Sequence, residues 1–126
     1  MKLLFIIGTG GFLGTIARYL STQYIQNHIP LSFPLGTFIV NVAGCFLIGI
    51  IHGLSIENNF IPDTWRLFLT VGFCGGFTTF SSFANENIML LRNEQFLYFS
   101  LYVGLSITFG LLATFLGNFL IRFLYA

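Results

Sequence analysis

Charge is what this sequence has least of. Five Lys and Arg and four Asp and Glu make up only 7% of its 126 residues. A soluble domain carries about a quarter, and a chain this poor in ions cannot cover its own surface in water. The net charge of +1 leaves no basic face for nucleic acid. Cysteine is nearly absent too. Cys45 and Cys74 both lie inside apolar runs, where they read as small packing residues, and no His, Cys or acid cluster with metal-ligand spacing accompanies them. There is no Ser/His/acid set, no pair of carboxylates close in sequence and no HExxH-type site, so the chain lacks the means of an enzyme. The stretch Gly8-Thr9-Gly10 approaches a dinucleotide-binding fingerprint, but the position of its third glycine is Leu13 and no strand precedes it. Gly10 and Gly14 read instead as a small-xxx-small packing face, a pattern that Gly49 and Gly53 repeat.

What the chain does have is apolar length. It is 56% hydrophobic, with a mean hydropathy of +0.87. A helix crossing a bilayer needs about 20 apolar residues, and the sequence offers four such runs, at about 3–24, 35–54, 64–92 and 95–123. They nearly use up the chain, which reads as a single transmembrane domain over 1–126, all α-helical. The first run follows Lys2 like a signal peptide, yet it continues past Arg18 and ends in no small-x-small cleavage site, so it is expected to be retained. Ile25–Pro34, with two prolines and several polar residues, reads as a loop, as does Ser55–Asp63 with Glu57, Asn58 and Asn59. Asp63 is an expected N-cap for the third helix, and Asn93-Glu94 is the last loop. The third run is interrupted at Gly72–Phe83, where three glycines and four hydroxyl residues in twelve positions predict a broken helix.

The few charges carry a topological hint. With four spans, Lys2, Arg66 and Arg122 fall on one side of the membrane, and Arg92, with Arg18 if it reaches the end of helix 1, on the other. The positive-inside bias is weak, which permits insertion in both orientations and an antiparallel dimer of one sequence.

A polar group inside a span must pair or face water, because an unpartnered amide or hydroxyl in lipid costs several kcal/mol. Asn41, alone in the middle of helix 2, is either interhelical glue or an N–H donor aimed at a passing anion. Arg18 either snorkels to the interface, draws anions, or clamps helix ends. Phe77, Phe80 and Phe83 share one helical face. Such a stripe is commonly packing, but here it alternates with Thr78, Thr79, Ser81 and Ser82, and ring edges flanked by donors suit an anion path. Carbonyls freed at the glycine-rich break could hold a small monovalent cation between two subunits. On helix 4, Tyr102, Ser106, Gly110 and Thr114 recur every four residues, and their hydroxyls form either a track beside the rings or bonds back to their own helix.

Together these residues resemble the CrcB/Fluc family of fluoride channels over nearly the whole chain. The resemblance is carried by Gly10-Gly-Phe-Leu-Gly14 with Arg18-Tyr19, by Gly36-Thr-Phe-Ile-Val-Asn41 with Gly44, and by Gly72-Phe-Cys-Gly-Gly-Phe-Thr-Thr-Phe-Ser-Ser-Phe83. It implies an antiparallel, dual-topology homodimer in the cell (inner or plasma) membrane with two pores, exporting fluoride passively. By that resemblance the ring edges of Phe80 and Phe83 face the ion and Asn41 donates to it. Ser81 and Ser82 supply hydroxyls beside the rings, with Thr79 next to them, and Tyr102, Ser106 and Thr114 form the helix 4 track. Gly75 and Thr78 bind a structural Na+ on the dimer axis through their backbone carbonyls. Gly110 departs from members that carry a hydroxyl there. Arg18 and Glu86 are candidates for electrostatic or structural roles. Two rivals are weighed against this. A proton-coupled multidrug exporter would want a membrane-embedded acid, typically in helix 1, but helix 1 has none and Glu86, the only acid within a span, lies toward the end of helix 3. A non-transporting membrane subunit would show no flux alone.

Overall fold

The computed structural model describes residues 1–56 and 60–125. The loop residues Glu57, Asn58 and Asn59 lie outside them. Helix α1 (Lys2–His28) is followed by α2 (Leu35–Ile56), α3 (Asp63–Leu67), a π-helical stretch (Phe68–Cys74), α4 (Gly75–Phe77), α5 (Phe80–Arg92) and α6 (Phe96–Tyr125). There is no strand among the described residues. Four segments are long and apolar enough to cross a membrane: Lys2–His28, Leu35–Ser55, Asp63–Arg92 and Phe96–Tyr125. At 1.5 Å per residue the 27 residues of α1 reach about 40 Å, more than the roughly 30 Å hydrocarbon core.

The apolar residues point outward. Phe5, Phe12, Leu97, Leu111, Phe115 and Phe123 are exposed, whereas the fully buried side chains are only Tyr102, Val40 and Cys74. The polar residues Thr37, Ser55 and Asn87 are buried. Lipid tails are as apolar as Leu, so such helices associate by close backbone packing at small residues rather than by hiding greasy ones. Two glycine seams do this. Along α1, a Cβ on Gly10 would stand 2.5 Å from the Phe68 carbonyl oxygen, and one on Gly14 would overlap that of Phe73; from the opposite side, one on Gly72 would meet the Ile7 oxygen at 2.7 Å. Along α2 and α6, a Cβ on Gly49 would overlap the Thr114 carbonyl, and one on Gly117 that of Phe46.

The ends differ from the sequence pattern at the close of α1 and at Asp63, and the last loop falls where expected. Helix α1 runs one turn beyond Tyr24, because Gln23, Gln26 and His28 are polar yet helix-compatible, and the chain leaves the helix only ahead of Pro30. Gln26 then ties the connection, donating to the Leu31 carbonyl (3.0 Å) and accepting from the Gly36 N–H (3.3 Å). Asp63 is the first helical residue rather than the cap, which is Pro62, and its carboxylate instead meets Arg66 at 3.3 Å on the surface. Tight closure between α5 and α6 puts Glu94 at φ 58°, with Gln95 N–H on the Leu90 carbonyl (2.9 Å), a Schellman-type cap that favours glycine.

The largest difference concerns the glycine-rich stretch. Its composition predicts irregular backbone throughout Gly72–Phe83, but Gly72–Phe77 stays in π- and α-turns. Extended backbone is confined to Thr78 (φ −91°, ψ 157°) and Thr79 (φ −151°, ψ 119°). Gly72 and Gly76 are there for the close approach of α1, not to melt the helix.

Candidate functional site

Two residues of extended backbone inside a membrane span create a definite problem. The helix loses hydrogen bonds on both sides of them, and no water is at hand to replace those bonds. The side chains around Thr78 and Thr79 answer it one group at a time. Arg18 reaches over from α1 and its Nε donates to the Gly76 carbonyl (3.0 Å). Thr78 turns its hydroxyl and its own N–H onto the Cys74 carbonyl (2.8 and 2.9 Å). Asn41 pairs with both backbone groups of Thr79: the Thr79 N–H donates to Oδ1 (2.8 Å), and Nδ2 donates to the Thr79 carbonyl (3.1 Å). The Thr79 hydroxyl oxygen then caps α5 by accepting from the Ser82 N–H (3.2 Å). Gly44 makes room for this, since a Cβ there would overlap the Thr78 methyl.

The break parts several carbonyls from their helical donors, Gly75 and Thr78 among them. In a continuous helix the Gly75 carbonyl would accept from Thr79 N–H and the Thr78 carbonyl from Ser82 N–H. Both donors are directed elsewhere, to Asn41 Oδ1 and Thr79 Oγ1. Gly75 is exposed on the protein surface. Among the described residues no group of three His, Cys, Asp or Glu could hold a metal.

Beside the break opens a cavity of about 330 Å³. Helix α2 contributes Asn41, Gly44, Cys45 and Ile48, the break contributes Thr78, Thr79, Phe80 and Phe83, and α6 contributes Ser106, Ile107 and Thr114. Asn41, Thr79, Phe80, Phe83, Ser106 and Thr114, singled out from the sequence, thus share one wall. The Phe80 and Phe83 ring centroids are 5.7 Å apart with planes tilted by 39°. Phe80 is 79% exposed in the single chain. Ser106 Oγ is buried without a hydrogen-bond partner. Ser81 stands beside the lining and shares a hydrogen bond with the Thr79 hydroxyl (3.3 Å), while Ser82 takes part through its backbone N–H.

Tyr102 stands apart from the lining. It is fully buried, packs its ring on Phe83 (4.9 Å) and Phe33 (5.3 Å), and donates its hydroxyl to Glu86 Oε1 at 3.4 Å. Thr37 donates to the other oxygen of Glu86 at 3.1 Å. Glu86 lines a second, polar cavity of about 460 Å³ with Thr22, Gln26, Thr37 and Asn93. Tyr102 therefore links the two cavities, with its ring behind one and its hydroxyl on the acid of the other. The Thr114 hydroxyl is also occupied, donating to the carbonyls of Gly110 (3.0 Å) and Cys45 (3.2 Å). Thr37 and Gly44 have roles the sequence did not suggest. Gly44 could have been found one turn beyond Asn41 on the same helix face, but Thr37 carries no local signal, because its partner lies 49 residues away.

Four membrane-length helices around a pinned break, with an amide, hydroxyls and ring edges gathered at one cavity, define a multi-pass membrane protein built to admit a small polar solute. Residues 5–118 match the family described as CrcB-like protein, Camphor Resistance (CrcB). The chain is 46% identical to the fluoride-specific ion channel FluC of Flavobacterium psychrophilum, over 93% of this chain and 94% of that one. It is 47% identical to that of Chlorobium luteolum, over 89% and 86% of the two chains, and 41% identical to that of Azobacteroides pseudotrichonymphae, over 98% of each. The chain belongs to the CrcB-like family.

Proposed function

We propose that this chain is one subunit of a fluoride-selective passive channel, a single transmembrane domain that works as an antiparallel homodimer with two pores and exports fluoride from the cell across its inner or plasma membrane. The observation that carries this is the cavity at the Thr78–Thr79 break, where Asn41, Ser106 and the Phe80–Phe83 pair meet, in a chain whose relatives are named fluoride-specific channels.

The chemistry follows from what fluoride requires. The ion is small and holds its water strongly, so the path must offer close donors that also let go. Asn41 spends one N–H on Thr79 and keeps the other for the ion. The unpartnered Ser106 hydroxyl supplies a second donor. Ring edges, the positive rim of the aromatic quadrupole, supply a tolerant surface at Phe80 and Phe83. Ser81 and Thr79 extend the hydroxyls along the break, and Tyr102 fixes Phe83 from behind. Chloride, being larger, fits this spacing poorly. In the proposed homodimer the surface of a second copy would cover the exposed Phe80 and close the path.

A structural Na+ would be held by the Gly75 and Thr78 carbonyls, whose helical donors are directed elsewhere; two carbonyls from each of two copies would supply its oxygen ligands. Such an ion would tie the subunits together and has no part in conduction. Arg18 serves as a clamp at the Gly76 carbonyl, and Glu86 is held by two hydroxyls in the second cavity.

The test is efflux from liposomes that contain the purified protein, followed with fluoride and chloride electrodes. Rapid fluoride efflux without chloride efflux is expected. Absence of fluoride efflux from folded, dimeric protein would overturn the reading.

A further inference from the structure

We infer that the thiol of Cys45 lines the ion path and fills the gap left at Gly110 in the α6 polar stripe. The inference rests on the channel reading above. The stripe runs Tyr102, Ser106, Gly110, Thr114, and at Gly110 it has no side chain. Cys45 lies one helical turn beyond Asn41 on α2 and points across at that bare position: a Cβ on Gly110 would stand 3.6 Å from Cys45 Sγ. Cys45 borders the same cavity as Asn41, Ser106 and Thr114 and is partly exposed, whereas Cys74 is buried.

Two further observations give the thiol work to do. The Ser106 hydroxyl is buried in that cavity wall with no protein partner, so the wall is built to receive something. One turn on either side of Gly110 the donors differ. Ser106 has a proton to offer, but the Thr114 proton is committed to the carbonyls of Gly110 and Cys45, and its remaining lone pairs repel an anion. At the level of Gly110, between Ser106 and Thr114, the donor that α2 offers after the second Asn41 N–H is the Cys45 S–H. A thiol is a weak, polarizable donor, which suits a step the ion must leave quickly.

Two experiments decide it. In the first, wild-type and Cys74→Ala channels in liposomes are treated with methyl methanethiosulfonate. The thiolate attacks the reagent's sulfenyl sulfur, an S–S bond forms, methanesulfinate leaves, and the thiol proton goes to water. The adduct is located by mass spectrometry. We expect labelling at Cys45, loss of fluoride flux, recovery with a thiol reductant, and no effect in Cys45→Ala. A Cys45 that stays unlabelled until the protein is denatured, or is labelled with flux intact, overturns the inference. In the second, Cys45→Ala slows fluoride about three- to tenfold, the worth of one modest hydrogen bond, and Gly110→Ser recovers the rate in that background. Failure of Gly110→Ser to recover it, in protein that remains dimeric, also overturns the inference. Failure of the channel reading looks different: untreated wild type would pass no fluoride at all.

Discussion

Replacing Asn41 by leucine separates two roles for the residue by magnitude. Leucine keeps the size of the side chain and removes both hydrogen bonds to Thr79. If Asn41 were ordinary interhelical glue, the loss would be about 0.6 kcal/mol, the average for such bonds inside membranes. The structure sets a larger cost, because Thr79 is extended and its N–H and carbonyl have no helical partner to fall back on. Each backbone group left unpaired in a dry interior costs about 1–3 kcal/mol, or roughly 2–6 kcal/mol for the pair. At about 3–5 °C per kcal/mol for a chain of this size, the melting temperature should fall by at least about 6 °C, against about 3 °C for glue. Thermal unfolding in detergent, followed by the fluorescence of Trp65, reads the difference. Fluoride efflux measured below the transition should fall as well, since the break and its cavity are no longer pinned. A melting shift under about 3 °C with flux within threefold of wild type would refute the reasoning.

Other perturbations follow from the same geometry. Gly14→Val drives a side chain into the Phe73 carbonyl and should cost at least about 1–3 kcal/mol, whereas Gly8→Ala, with nothing within 4 Å of the new Cβ, should raise stability by about 0.5–1 kcal/mol, since alanine is the better helix former. Glu94→Gly should stabilise by about 1 kcal/mol, because Glu94 sits at φ 58°, and an unchanged melting temperature would show that the strain is absent. Arg18→Lys keeps the charge but loses the Nε donor to Gly76; a clamp predicts lower stability and flux, and a purely electrostatic lure predicts normal flux. If the proposed Na+ joins two copies at the Gly75 and Thr78 carbonyls, exchanging Na+ for N-methylglucamine should lower the melting temperature without changing fluoride selectivity, and the same melting temperature in both salts would refute that site.

By itself the sequence determined the class of protein. Scarcity of charge and four long apolar runs leave only membrane-spanning helices, because backbone polar groups in lipid must be satisfied within each segment. It also marked most of the cavity lining, since an amide, a ring stripe and hydroxyls inside such runs are conspicuous: Asn41, Phe80, Phe83, Ser106 and Thr114 stood out before any contact was visible. What it left undecided was how those groups are used. Local composition made Gly72–Phe83 look irregular throughout, but Gly72 and Gly76 are fixed by contact with α1, and only Thr78 and Thr79 leave the helix. Whether Asn41 was glue or donor depended on Thr79, 38 residues away, and Arg18's partner Gly76 lies 58 away. The Tyr102 hydroxyl turned to Glu86, and the Thr114 proton to two carbonyls. Hydrogen-bond partners separated by whole helices are set by how the helices cross, and crossing is set by backbone contact at glycines, which carry no side-chain pattern to announce their neighbours.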